Sequence, residues 1–314
     1  METPTFDFDV IQAELTASVI KTNKYTGLGA GSVKTYISKM KYLDKNKVLN
    51  EQLNDFLNNT YPVLNTRSAY QVAVMGVAKH SPTFAEKLGK EIIDIITKAN
   101  ETLIPELKHD ASSQSKSEKE EINWINLKDL KALHKSKVAD FSVQDNLLIS
   151  FYTLIPPVRL DLGQVFIVRN NFIDETTGKP TGIAEKENYL VINKRSGRYA
   201  TTLNLQEYKT ERTYGAFTSK LPKVITDLII KLPIEQTHLF SKRGGGAFAS
   251  ADTFGVYLKS VFHRLTGKNM SVDLLRSIYL TDFRKGEKST ERKQKIAKSM
   301  MNSVEVQTEY LKLN

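Results

Sequence analysis

Tyr310 follows Arg276 by thirty-four residues, and the arginine lies in the amphipathic run SVDLLRSIYLTDF. A phenol held near guanidinium groups can attack a phosphodiester, because the cations neutralise the phosphate while the phenolate oxygen bonds to phosphorus. An unperturbed phenol ionises only near pH about 10, so the reaction at neutral pH needs several neighbouring cations. Arg159 is one candidate, since Pro156 and Pro157 fix the backbone just before it. Such a Pro-Pro turn with an arginine after it is also common in surface loops. Lys209 is another candidate, in the tip between two expected strands, where most lysines are simply solvated.

Other chemistries have little support. His80, His109, His134, His238 and His263 are scattered with no HxxxH or HxH pair, so no metal site and no metal or organic cofactor is expected. No cysteine is present, which excludes disulfides and thiolate ligands. There is no GxSxG and no dinucleotide fingerprint. Gly244 to Gly246 lack the GK[ST] of a phosphate-binding loop and are expected to act as a flexible connection.

Composition points to a polyanionic partner. The 314 residues carry a net charge of +10, with 40% apolar and 25% charged residues. Residues 284–298 hold seven Lys/Arg against two Asp/Glu, half of that excess. An isolated run of this kind is a solvated helix face, but its place between Arg276 and Tyr310 favours phosphate contact through Arg284, Lys285 and Arg292. No stretch approaches the roughly 18 apolar residues of a membrane span, and METPTFDFDVIQAEL is not of signal-peptide type. An intracellular protein with no membrane partner is expected.

The length suggests two domains. In the first, residues 1–108, Val10, Ile11, Leu15, Val19 and Ile20 recur at helical spacing. After a glycine break at Gly27 to Gly31, Ser32 is the expected cap of a helix presenting Val33, Tyr36, Ile37 and Met40. Leu49, Leu53, Phe56 and Leu57 continue that period to Pro62. Further helices are expected from Asn65 and from Pro82 to about Leu103, four or five in all. Lys34, Lys39 and Lys41 could line a DNA backbone, or be ordinary surface lysines.

The polar stretch HDASSQSKSEKEE, residues 109–121, reads as a linker or an exposed helix extension. Residues 122–314 form the second domain, opening with a helix at INWINLKDLKAL that has Asn126 and Asp129 at capping spacing. Strands are expected over residues 164–168, 188–192 and 199–208, with a further one at 213–217. Helices are expected over 146–154, 222–232 and 253–265. The fold class is therefore mainly α with a small antiparallel β-sheet, α+β.

In order and spacing, Arg159, Lys209, Arg276 and Tyr310 resemble the tyrosine recombinase, or phage-integrase-like, family. The phrases PPVRLD, EYKTERTYG and NWINLKDL look most like recombinases of large eukaryotic DNA viruses, virophages and related mobile elements. The resemblance spans the chain and implies a helical core-binding domain that clamps DNA, followed by a catalytic domain. It further implies that Arg159 and Arg276 hold the scissile phosphate, that Lys209 gives a proton to the departing 5′ oxygen, and that Tyr310 forms a 3′-phosphotyrosine.

Departures accompany it. Asp273 stands where the family usually has histidine or lysine, and is expected to cap its helix or pair with a cation. Asn302 stands in for a histidine or tryptophan and could donate to a phosphate oxygen. Asp161 is the expected acidic support of the first arginine. Only residues 311–314 follow the tyrosine, where relatives commonly extend into a helix docked on a neighbouring protomer.

What the resemblance implies is a site-specific recombinase or integrase acting on duplex DNA with a specific, inverted-repeat site, assembling as dimer and tetramer. The viral likeness implies a nucleus or viral replication compartment. Two alternatives are a catalytically decayed DNA-binding architectural factor and a type IB topoisomerase-like DNA-relaxing enzyme.

Overall fold

Helical periodicity dominates the computed structural model, which describes residues 4–21, 29–169, 184, 187–285 and 289–313. The chain divides into two compact units, Met1–Ser113 and Gln114–Asn314. The first contains α1 (Phe8–Lys21), α2 (Ala30–Lys45), α3 (Leu53–Thr60), α4 (Leu64–His80), α5 (Pro82–Leu88) and α6 (Lys90–Ser112). Their apolar stripes converge: Ile11, Leu15, Val33, Ile37, Met40, Leu53, Leu57, Val74 and Phe84 share one buried core. Each such side chain contributes about 1.5–3 kcal/mol when fully buried.

Two local expectations are corrected here. The single helix expected from Pro82 is two helices, because Gly89 adopts a φ of 86° that interrupts the α-helical backbone. Ser32 does not cap α2, which starts at Ala30 with Gly29 at the cap position. Gly27 and the side chains of Val19 and Ile20 lie outside the described residues. Helix α6 runs on through residues 109–112 of the polar stretch. Beyond it, Ser117 and Glu120 form a reciprocal capping box.

The second unit begins with α7 (Glu118–Asn123), α8 (Leu127–Ser136) and α9 (Val143–Thr153). Asn126 occupies the cap position of α8, but its side chain makes no capping bond. After α9 the prolines force an extended segment, and a 3-10 turn (Leu160–Gln164) leads into the sheet. Then follow β1 (Phe166–Val168), β2 (Tyr189–Arg195), β3 (Arg198–Leu205), α10 (Glu211–Tyr214) and β4 (Phe217–Lys220). The rest is helical: α11 (Lys223–Ile229), α12 (Ala251–Thr266), α13 (Val272–Arg284), α14 (Thr290–Ser299) and α15 (Val304–Tyr310).

The fold is α+β, and the strand order is β1-β2-β3-β4. Strands β2 and β3 form a hairpin closed at Ser196 and Gly197, both at positive φ as a tight two-residue loop requires. Strand β4 pairs antiparallel with β3, but β1 runs parallel to β2, so the sheet is mixed rather than purely antiparallel. A parallel pair needs a crossover of about a dozen residues or more, and residues 169–188 supply that length. The strand expected at 213–217 is displaced: residues 211–214 coil into α10, Gly215 turns at φ 69°, and β4 starts at Phe217. The sheet and α9, α12 and α13 enclose one core that includes Leu148, Phe151, Leu190, Leu203, Phe254, Leu258 and Ile278. Among the described residues, no helix is long and apolar enough to cross a membrane.

Candidate active site

Helix α13 is anchored by Ser271, whose hydroxyl accepts from the Leu274 amide at 3.2 Å. It buries Leu274, Leu275 and Ile278, and with them Arg276, whose exposure is 0%. A guanidinium so placed must be hydrogen-bonded, since burying a bare charge costs several kcal/mol. Arg276 Nη1 donates to the Pro157 carbonyl at 2.9 Å, and Nη2 donates to the Met300 carbonyl at 3.2 Å. In the amide orientation that satisfies both its groups, Asn302 accepts from Arg276 Nη2 at 2.9 Å and donates to the Ala297 carbonyl at 3.2 Å. Burial holds the Arg276 pKa below the usual arginine value, countered chiefly by Tyr310. An arginine keeps its charge under such a shift.

Arg159 binds the same loop one residue further on. Its Nη1 donates to the Met301 carbonyl at 3.3 Å, and that carbonyl also accepts from Thr210 Oγ1 at 2.9 Å. Met301 itself sits at φ 54°, a left-handed conformation that a residue with a side chain rarely adopts. The Arg159 carbonyl accepts from the buried Tyr152 hydroxyl at 2.9 Å. Residues 300–302 thus gather both arginines. The Pro156-Pro157 segment, which the sequence suggested would aim Arg159, also supplies a carbonyl that fixes Arg276.

Tyr310 ends α15, a helix capped by Ser303, whose hydroxyl accepts from the Val306 amide at 3.2 Å. Its ring centroid lies 5.0 Å from the Arg276 guanidinium carbon, within cation–π range. The residues beyond it are tied down. Leu311 is buried with Leu280 and Met300, the Lys312 amide donates to Thr281 Oγ1 at 3.0 Å, and Lys312 Nζ pairs with Glu120 at 3.2 Å.

The remaining sequence candidates fall into distinct settings. Lys209 is exposed, and its loop is pinned beside it by Thr210 and by the Tyr208 hydroxyl, which donates to the Gly215 carbonyl at 2.5 Å. Asp161 is mostly buried with an unpartnered Oδ2 among the described residues. Burial raises its carboxyl, against the opposing pull of its own backbone amide and of Arg159 and Arg276. Asp273 is exposed in the first turn of α13 and does not cap it, because Ser271 does; its charge faces Arg276 only as a minor influence. Arg284 is half-buried and donates to Gln307 of α15 at 3.4 Å, whereas Lys285 and Arg292 are exposed.

In the first unit, Lys34 and Lys41 are exposed, while Lys39 lies 3.9 Å from the Tyr70 ring centroid. Sequence reasoning missed Thr210, Gln307 and the carbonyls of Pro157, Met300 and Met301. The backbone groups leave no trace in residue type, and Thr210 was visible only as the neighbour of Lys209. Among the described residues, no three His, Asp or Glu side chains gather as metal ligands.

No protein-family model and no curated protein matches the chain by sequence. Among solved structures, it is similar to one described as the crystal structure of XerA recombinase, at 12% identity and a TM-score of 0.39, over 98% of this chain and 94% of that one.

Proposed function

We propose that the chain is a site-specific DNA recombinase or integrase that cuts and rejoins strands through a 3′-phosphotyrosine. The observation that carries this reading is the Arg276 guanidinium, buried and facing the Tyr310 ring at 5.0 Å, with Arg159 bound to the same loop. In the proposed reaction the Tyr310 phenol gives its proton to solvent and its oxygen bonds to phosphorus. The bond from phosphorus to the 5′ oxygen breaks, and Lys209 protonates that oxygen. Arg159 and Arg276 stabilise the charge that builds on the two non-bridging oxygens. Arg159 donates to the loop through Nη1 and Arg276 through Nη1 and Nη2, so further N–H groups of each five-donor guanidinium remain to meet phosphate oxygens. Religation to a partner strand reverses the step, which calls for dimers and tetramers on paired sites.

One observation favours a second reading, a DNA-binding factor without strand cleavage. Asn302, the residue that would donate to phosphate in place of a histidine, has both amide groups engaged with Arg276 and Ala297. A nicked suicide duplex carrying DNA from the ends of the chain's own element separates the two. The recombinase reading expects a detergent-stable protein–DNA adduct that Tyr310→Phe abolishes. Salt-sensitive binding with no adduct at any protein concentration would favour the binding factor. A wild type that relaxes plasmid DNA without multimers on paired sites would favour the topoisomerase-like alternative.

A further inference from the structure

We propose that the glycine turn at residues 242–246 is a second phosphate contact, remote in sequence from Arg159 and Arg276, in which Lys242 and Arg243 meet the DNA backbone. The inference rests on the DNA-processing reading and adds a surface to it. Residues 236–251 contain no carboxylate, and among the described residues neither of these two exposed side chains makes an ion pair. The turn is closed on itself: the Gly245 amide donates to the Lys242 carbonyl at 2.9 Å, and the Lys242 amide donates to the Gly246 carbonyl at 3.1 Å. Gly244, Gly245 and Gly246 all have positive φ, at 94°, 90° and 77°.

Packing does not account for these glycines. A Cβ placed on Gly244 or Gly245 would meet nothing within 4 Å. The amides of Gly244 and Gly246 donate to no backbone carbonyl among the described residues. The free N–H groups of Gly244 and Gly246, on either side of the bonded Gly245 amide, carry no side chain that would keep an anion from the main chain.

The base of the turn is braced, which lowers the entropy lost when its side chains engage a ligand. Gln144 clamps Ser241 from both sides, accepting from its amide at 2.9 Å and donating to its carbonyl at 2.9 Å. On the far side Phe248 is buried and stacks on Tyr257 at 5.2 Å. Gln164, in the 3-10 turn that begins one residue after Arg159, donates to the Phe248 carbonyl at 3.5 Å. The basic turn and Arg159 are therefore mounted on one packed frame.

The test compares the full-length wild type with the double variant Lys242→Ala, Arg243→Ala. Affinity for a short random-sequence duplex is measured against potassium chloride concentration. Loss of two phosphate contacts should flatten the plot of log affinity against log salt by a slope of about 2. Adduct formation at saturating DNA should persist, because neither residue belongs to the arginine cluster. A variant with the wild-type slope and affinity overturns the assignment while leaving the recombinase reading intact. A wild type that fails to bind duplex DNA overturns both.

Discussion

The guanidinium carbon of Arg276 lies 5.0 Å from the centre of the Tyr310 ring, on a side chain with no exposure to solvent. The proposed phosphate ligand is thus also an internal strut between α13, the Pro157 segment and the loop that leads to α15. Arg276→Ala should destabilise the second unit by about 3 kcal/mol, since it strands carbonyl acceptors and opens a cavity. Urea unfolding followed by Trp124 fluorescence measures this. Arg276→Lys should recover only part of it, because an ammonium cannot bridge Pro157 and Met300 as a planar fork does.

Asn302 positions Arg276 through one amide oxygen and holds the end of α14 through its amide nitrogen. Asn302→Ala should lower stability by about 1–2 kcal/mol and slow adduct formation, with duplex affinity unchanged. Asn302→Asp keeps the acceptor and loses the donor to Ala297, so it should fall between alanine and wild type in single-turnover rate.

Gly163 and Gly255 set how closely the 3-10 turn after Arg159 packs on α12. A Cβ on Gly163 would lie 2.7 Å from Phe254 Cβ and Cγ, atoms next to the backbone, whereas one on Gly255 would meet the end of Leu160 at 3.1 Å. Gly163→Ala should therefore cost on the order of 2 kcal/mol and reduce cleavage along with stability. Gly255→Ala should cost less, because the Leu160 side chain can rotate away. Thermal melting and adduct yields on the two variants give the ranking.

Burial raises the Asp161 carboxyl above its usual range. A folded-state pKa above the unfolded one means that the contribution is fully present below the unfolded value and is lost as pH rises through the folded value. Wild type should thus lose stability relative to Asp161→Asn as pH rises from the acid range toward neutrality. Melting temperatures of both proteins across that range check the sign. A gap that closes instead of opening would contradict the burial argument.

Much of this was legible in residue types because the core follows helical spacing: Val33, Ile37 and Met40, or Leu274, Leu275 and Ile278, could be read directly as buried faces. Among 45 Lys/Arg and thirteen tyrosines, Arg159, Arg276 and Tyr310 were legible as candidates through their order and spacing along the chain. Their support was not. The anchors of both arginines are main-chain carbonyls, and the left-handed Met301 that presents one of them follows from no local preference of methionine. The parallel β1–β2 pair also escaped, since a short apolar run such as Phe166–Val168 does not encode its direction. Gly89 and Gly215 redirect the chain through backbone conformations that alternation and periodicity do not report.

The most direct measurement is to trap the protein on a nicked duplex carrying its own element's termini, digest the adduct with protease, and identify the nucleotide-bearing peptide by mass spectrometry. Strand cleavage by this site should give a single linkage, to Tyr310 among the thirteen tyrosines, at the 3′ phosphate of the cut strand. No covalent linkage, or one to a different tyrosine that survives in Tyr310→Phe, would contradict it.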